Sequence, residues 1–471
     1  MVAIPFPLTS MPGTRPQESA GRLINARAEP LGEGARAQAR RVRVPGLATF
    51  ATSSQTGFRG HIVVGPTLFA AFAGKVYKGT AAGGALILVD DLDGMLPVFF
   101  ARNNKKPTPD CVVVTEDGAF IVSESAVDDY NDNDLPQPNG VCFLDGYFFF
   151  TTADGRCFAS GLNATTINAL DFVTAEGKSD GLLRPVPFGG TLFLCGTSSI
   201  EPWTNTANPT GFPFSRAAVI PRGLLAATAI TGFEDGFGFG LVFVGNDCGV
   251  HRMNGYAPEK ISPPDLDRLI EQLADKSTLE MSSYVTNGHP MVALSSPDWT
   301  WEFDLNTLKW NERASYQQKR WRGKFAINAF DKWLVGDELS GNILQITAES
   351  YKEVSDPLLY RVESGPVQQF PNRIQVARAD FDFVTGVGIA TGSDPNETDP
   401  SVAISWSDDG GVKWSVPLIR RLGRQANARQ RVTVLNTGLS GPQGRRWRID
   451  VSDPVYVSLI GGEQSADVRA A

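Results

Sequence analysis

Histidine, cysteine and methionine are scarce in this chain: 3, 5 and 6 among 471 residues. His61, His251 and His289 have no spacing that would make a histidine metal site, and no G-x-S-x-G elbow supports a serine triad. Cys111, Cys142, Cys157, Cys195 and Cys248 are odd in number, irregularly spaced and without a C-x-x-C pair. That argues against a disulfide framework or a zinc site and for buried free thiols folded in a reducing compartment. No apolar run approaches the roughly 18 residues of a membrane helix. Met1–Leu8 has no basic leading region and is broken by Pro5 and Pro7, so it does not read as a signal peptide. No G-x-x-x-x-G-K-[ST] loop is present, and Gly236-Phe-Gly-Phe-Gly240 is too aromatic for a phosphate cradle and reads as a closely packed strand. Charged residues make up only 20% and the net charge is −8, the wrong sign for a surface that grips nucleic acid throughout.

What is abundant is glycine (48), proline (31) and phenylalanine (28). Frequent Gly and Pro exclude long helices and coiled coils, and 42% apolar residues can fill a large core. A mostly β chain with many turns follows.

Residues 1–40 are polar, punctuated by Pro and Gly, and aperiodic. They are expected to form an extended arm ordered only against something else. From 41 to 354 one unit recurs: an apolar strand, a short turn and a second strand, as in Cys111–Ile121 around Asp117-Gly118 and Tyr147–Phe158 around Asp154-Gly155. Asp-Gly between apolar runs is a strong hairpin signal. Equivalent points at Tyr77, Ile121, Phe158, Ile200, His251, Phe303 and Leu344 are 37 to 52 residues apart, the length of a four-stranded propeller blade. The fold class expected is mainly β: a β-propeller of six or seven blades over 41–354, with an N-terminal extended arm and an additional C-terminal antiparallel β domain over 355–471. A β-sandwich is the competing architecture. Ser262-Pro-Pro-Asp265 followed by Leu266, Leu269, Ile270 and Leu273 predicts one amphipathic helix in an insertion at 262–280, with Ser262 as its N-cap.

Three constellations are candidates for function. Asp128, Asp129, Asp132 and Asp134 form an acidic loop. From Asp129 it begins like a calcium loop, but Asp134 replaces the turn glycine and Gly140 the bidentate glutamate, so a solvated loop is expected. Ser407, Asp409, Gly411 and Trp414 fit S-x-D-x-G-x-x-W, the Asp-box turn seen in sialidases and related propellers, where it is structural. Arginine outnumbers lysine 30 to 13, and Arg420, Arg421, Arg424, Arg445 and Arg446 lie in an Arg-rich segment. That segment reads as a protein interface or the solvent face of two strands before it reads as a phosphate contact.

Several segments occur in a recognisable order. They are Asn25-Ala-Arg-Ala-Glu-Pro-Leu31, Val44-Pro-Gly-Leu-Ala48, Arg59-Gly60, Ala73-Gly-Lys-Val-Tyr-Lys-Gly79, Cys195–Asn205, the Ser407–Trp414 turn, Arg421-Leu-Gly423 and Ser452-Asp-Pro-Val455. Over about residues 25–460 the chain thereby resembles the packaged-DNA stabilisation (tail hub or nozzle) proteins of short-tailed bacteriophages. The resemblance implies a structural virion protein of the short tail, assembled in the host cytoplasm as a homohexameric tube below the portal and its head-to-tail adaptor ring. It would retain packaged DNA and conduct its ejection. It would also meet tail fibres or tailspikes and a tail needle or plug. No catalytic, cofactor or metal residues carry over. Double-stranded DNA would pass without sequence-specific binding, and an acidic lumen lined by Asp128–Asp134 suits that, because repelled phosphates do not stick to a wall. The alternative from another class is a propeller-type glycan-binding protein or glycoside hydrolase.

Overall fold

A computed structural model describes residues 1–469 apart from 176, 179, 209 and 210. The chain divides into two compact units that are each discontinuous in sequence: 49–285 with 322–345, and 1–48 with 286–321 and 346–471.

The unit built on 49–285 and 322–345 is a propeller. Its first sheet runs through Phe58–Val64, Thr67–Phe72, Lys75–Thr80 and Ile87–Asp91, all antiparallel. Four more four-stranded sheets follow, beginning at Phe99, Gly140, Leu182 and Ile230. A sixth meander uses Gly323–Ala329, Lys332–Asp337 and Asn342–Thr347. The first strands of neighbouring sheets abut in turn, Phe99–Arg102 on Gly140–Leu144 and Gly140–Leu144 on Leu182–Phe188. Phe58–Val64 touches Gly323–Ala329 as well, which brings the last meander against the first blade. The chain entering this unit latches the sixth meander: the Ser53 N–H donates to the Gly341 carbonyl at 2.7 Å and the Thr52 hydroxyl to Asn342 at 2.9 Å.

The inner blade strands, such as Thr67–Phe72 and Cys111–Val114, are buried on both faces, so they read as continuous apolar runs rather than alternations. Phe148, Phe149 and Phe150 are all 0% exposed, and the Phe149 ring meets Phe214 edge-on at 4.9 Å. The turn at Asp154-Gly155 behaves as its sequence predicts: Gly155 has φ +89°, a region open to glycine without a Cβ penalty. Six of the seven repeating hairpins lie in this unit; the Met291–Phe303 hairpin belongs to the other one.

Three sequence readings need correction within the propeller. Gly236–Gly240 is a loop rather than a strand, and Gly236, Gly238 and Gly240 all have positive φ. Three glycines in five residues serve backbone reversal here, not close strand packing. Cys248 is only half-buried, at φ +61°, while Cys111, Cys142, Cys157 and Cys195 are buried; all five are free. The insertion helix spans Pro264–Glu271 and buries Leu266 and Ile270. Its N-cap is Pro263, not Ser262; the Ser262 hydroxyl instead donates to Asp267 at 2.5 Å and accepts the Val250 N–H at 2.9 Å.

The second unit holds two larger sheets. In one, Ala26–Pro30, Ala39–Arg43, Ser458–Gln464, Arg373–Phe383 and Val432–Leu439 lie side by side. In the other, His289–Ser295, Thr300–Asp304 and Lys309–Arg313 continue through Arg22–Ile24 into Tyr360–Glu363, Arg446–Val451, Ser401–Ser407 and Leu418–Arg421. The N-terminal stretch is therefore extended and ordered against its own chain. Ile4, Phe6, Leu23, Ala26 and Ala28 share one core with Phe381, Trp447 and Ile449.

Candidate functional site

Asp128 and Asp129 lie on Val127–Asp129, the last strand of the second blade, and both are exposed. Asp132 and Asp134 are used locally. Asp132 accepts the Ile167 N–H at 2.7 Å and the Asp134 N–H at 3.0 Å, and Asp134 accepts the Ala169 N–H at 3.3 Å. These carboxylates pin the loop to the outermost strand of the third blade, Ile167–Thr174. No group of three or more His, Cys, Asp or Glu side chains suited to a metal exists among the described residues. The loop thus presents exposed negative charge at Asp128 and Asp129, with no ion pair to either among the described residues.

The Ser407–Trp414 segment forms the turn its pattern predicts. The Ser407 hydroxyl donates to Asp409 at 2.8 Å and accepts the Gly411 N–H at 2.8 Å. Asp409 also accepts the N–H groups of Val412 (3.0 Å) and Lys413 (2.9 Å). Burial acts to raise the Asp409 pKa, but these donors outweigh it and hold the carboxyl below its ordinary value. Gly410 and Gly411 take φ of +78° and +99°. The Trp414 ring packs under the Arg448 guanidinium, 4.4 Å from its centroid. The Ser407 and Asp409 side chains are both spent on the turn.

The arginines separate into two sets. Arg421 and Arg424 are exposed and flank Asp399 at 3.9 and 3.8 Å. Half-buried Arg420 bonds the Thr433 carbonyl at 2.7 Å. Arg445 and Arg446, expected at an interface, are instead interior, at 0% and 2% exposure. Arg445 grips Asp408 through two bonds of 2.8 Å, and Arg446 is consumed by backbone carbonyls and a serine. A buried guanidinium must find acceptors, and these two find them inside their own unit. Elsewhere on this unit Arg36 pairs with Asp382 at 3.0 Å and Arg378 with Asp380 at 2.7 Å, so these two cations are neutralised locally.

Glu201, inside the Cys195–Asn205 segment, is 1% exposed and accepts from the Gly177 N–H at 2.7 Å and the Trp203 indole at 3.2 Å. That segment is a piece of blade architecture. Sequence reasoning missed Arg184, which lines a cavity of the propeller together with His61. Arg184 is one of 30 arginines, and nothing local marks it.

A family model described as bacteriophage P22 Gp10, β-propeller, matches residues 25–351. No curated protein matches the chain. Among solved structures, the WD40 β-propeller domain of Doa1 aligns with a TM-score of 0.42 at 10% identity, over 64% of this chain and 96% of that one. BamB from Moraxella catarrhalis aligns with a TM-score of 0.39 at 14% identity, over 68% of this chain and 92% of that one.

Proposed function

Because the chain belongs to the phage P22 Gp10 stabilisation β-propeller family, a family of phage structural proteins, we propose that it is a subunit of a short-tail hub or nozzle. Six copies form a tube below the portal and adaptor ring, retain packaged DNA and conduct its ejection. Tail fibres or tailspikes dock outside, and a needle or plug closes the end. In this reading the propeller is formed by 49–285 with 322–345, not by an unbroken 41–354, and residues 1–48 join 286–321 and 346–471 in a second β unit instead of standing as a separate arm; the chain carries out no catalysis.

The observation that carries the reading is the family match over 25–351. Charge supports it. Asp128 and Asp129 are exposed and form no ion pair among the described residues, and Arg421, Arg424, Arg36 and Arg378 each sit beside an aspartate. A surface of that kind repels or ignores a sliding polyanion rather than holding it. In the proposed tube Asp128 to Asp134 face the lumen, and Arg420, Arg421 and Arg424 lie toward neighbouring subunits.

The test is electron microscopy of the purified chain mixed with its portal and adaptor. Sixfold rings extending the adaptor are expected. A chain that leaves sixfold adaptor rings undecorated overturns the reading. So does a tube whose lumen is lined by basic rather than acidic or neutral groups, as far as DNA passage is concerned.

A further inference from the structure

One cavity of the propeller unit, about 420 Å³, sits where the first strands of several blades converge. Its walls are mostly apolar, with Ile62, Val98, Phe100 and Ile327 among them. That volume lies within the range of small-molecule sites, roughly 300–1,000 Å³.

Two polar side chains in its wall lack the partners such a setting demands. The Arg184 guanidinium is stacked between Phe99 and Phe233, 4.3 and 5.0 Å from the ring centroids. It donates once, to the Ala227 carbonyl at 3.2 Å, while its Nε is shielded from water and unbonded. It forms no ion pair among the described residues. Glu234, which also lines the cavity, acts on it only through space, its carboxylate bonding the Thr231 hydroxyl (2.5 Å), the Ser283 hydroxyl (2.6 Å) and the Gly232 N–H (2.7 Å) instead. Burial lowers the Arg184 pKa only to about 10, so it stays cationic at neutral pH. His61 has both ring nitrogens shielded from water and without a well-formed hydrogen bond, the Phe325 backbone being the polar group that acts on the ring. Burial depresses its pKa to about 4, only partly offset by the Phe325 backbone, so the ring is neutral and keeps one N–H to donate. Arg102 and the exposed Asp235 mark the mouth, 4.0 Å apart.

A half-buried cation with no bonded counter-ion is costly, and stacking against two rings fixes the plane in which its N–H fork points. One guanidinium and one neutral imidazole offer a single positive charge and several donors in an otherwise apolar chamber. We propose that this cavity binds a small organic monocarboxylate, its carboxylate held by Arg184 and His61 and its apolar body against the surrounding strands. A dianion finds only one compensating charge, and a neutral alcohol leaves the guanidinium unpaired.

The full-length protein is titrated with benzoate, hexanoate, benzyl alcohol and phenylphosphonate by calorimetry and ligand-observed NMR. Saturable binding of benzoate or hexanoate is expected, at least tenfold tighter than benzyl alcohol and than phenylphosphonate as its dianion. Arg184→Gln is expected to weaken benzoate tenfold or more and His61→Phe several-fold, with the blade fold checked by circular dichroism. The wild-type comparison of benzoate with benzyl alcohol needs no variant, so the proposal stays testable if Arg184→Gln misfolds. Equal binding of acid and alcohol, benzoate binding unchanged in folded Arg184→Gln, or no saturation by either carboxylate up to about 10 mM overturns it.

Discussion

Arg446 donates through Nη1 to the Pro16 carbonyl at 2.8 Å, across 430 residues of chain. The same guanidinium reaches the Gly410 carbonyl at 3.0 Å, the Ser19 hydroxyl at 3.0 Å and, through Nε, the Ser364 carbonyl at 2.9 Å. One side chain thus ties the N-terminal stretch to the Asp-box turn and to the strand region before Gly365. The fit is tight, since a Cβ on Gly410 would stand 2.7 Å from the Gln17 side chain.

Replacing Arg446 by Met should release the N-terminal stretch and leave buried carbonyls unpaired, lowering the unfolding free energy by about 3 kcal/mol. Urea denaturation gives the magnitude, and limited proteolysis should show new cleavage within residues 1–20. Arg446→Lys should fail to restore resistance, because one ammonium cannot reach four acceptors in a plane. Resistance equal to wild type in Arg446→Met would show that Arg446 does not hold the N-terminal stretch.

Asp409→Ala removes the acceptor of one hydroxyl and two backbone N–H groups at a partly exposed turn. A loss of about 1–2 kcal/mol is expected. Asp409→Asn should cost less, because the amide oxygen can still accept. Amide exchange at Gly411–Lys413 should quicken in Asp409→Ala and stay slow elsewhere in the unit.

Asp304 accepts from the His289 ring at 2.7 Å and the Asn306 N–H at 2.9 Å. Burial acts to raise its pKa, but the imidazole and the amide outweigh it and hold it below the ordinary value. A carboxyl depressed in the folded state contributes stability above its unfolded value, near pH 4, and loses it as pH falls through the folded pKa. Urea midpoints should therefore fall between about pH 4 and more acid conditions. Asp304→Asn should flatten that acid limb while lowering stability at neutral pH; an acid limb as steep as wild type would contradict the assignment.

Gly336, on a strand of the sixth meander, has no room for a side chain: a Cβ would lie 2.0 Å from the Phe58 ring. Gly336→Ala should cost about 1–3 kcal/mol through overpacking. Adding Phe58→Leu should recover part of that loss, giving a double-mutant coupling well outside additivity. Thermal melts of the single and double variants measure it.

Strand-turn repeats were legible in the sequence because their causes are local. Asp154-Gly155 specifies its turn through the φ that glycine adopts freely, and Tyr147–Thr151 must be a strand with both faces covered. The Ser407–Trp414 turn is legible for the same reason: all its bonds close within seven residues. Only tertiary structure distinguishes Arg421 from Arg445 and Arg446. All three sit in one Arg-rich run, yet the acceptors that bury the last two come from Asp408, Ser364 and Pro16, distant in sequence. Residues 1–40 show no period because each strand is short and its partners, Ser458–Gln464 and Tyr360–Glu363 among them, lie at the far end of the chain. Likewise His61 and Arg184 face one cavity only because the ring of blades brings their strands together. The scarcity of histidine, cysteine and positive charge, and the abundance of glycine and phenylalanine, determined a many-turned β chain. Long-range closure decided which of its charges are buried and which face solvent.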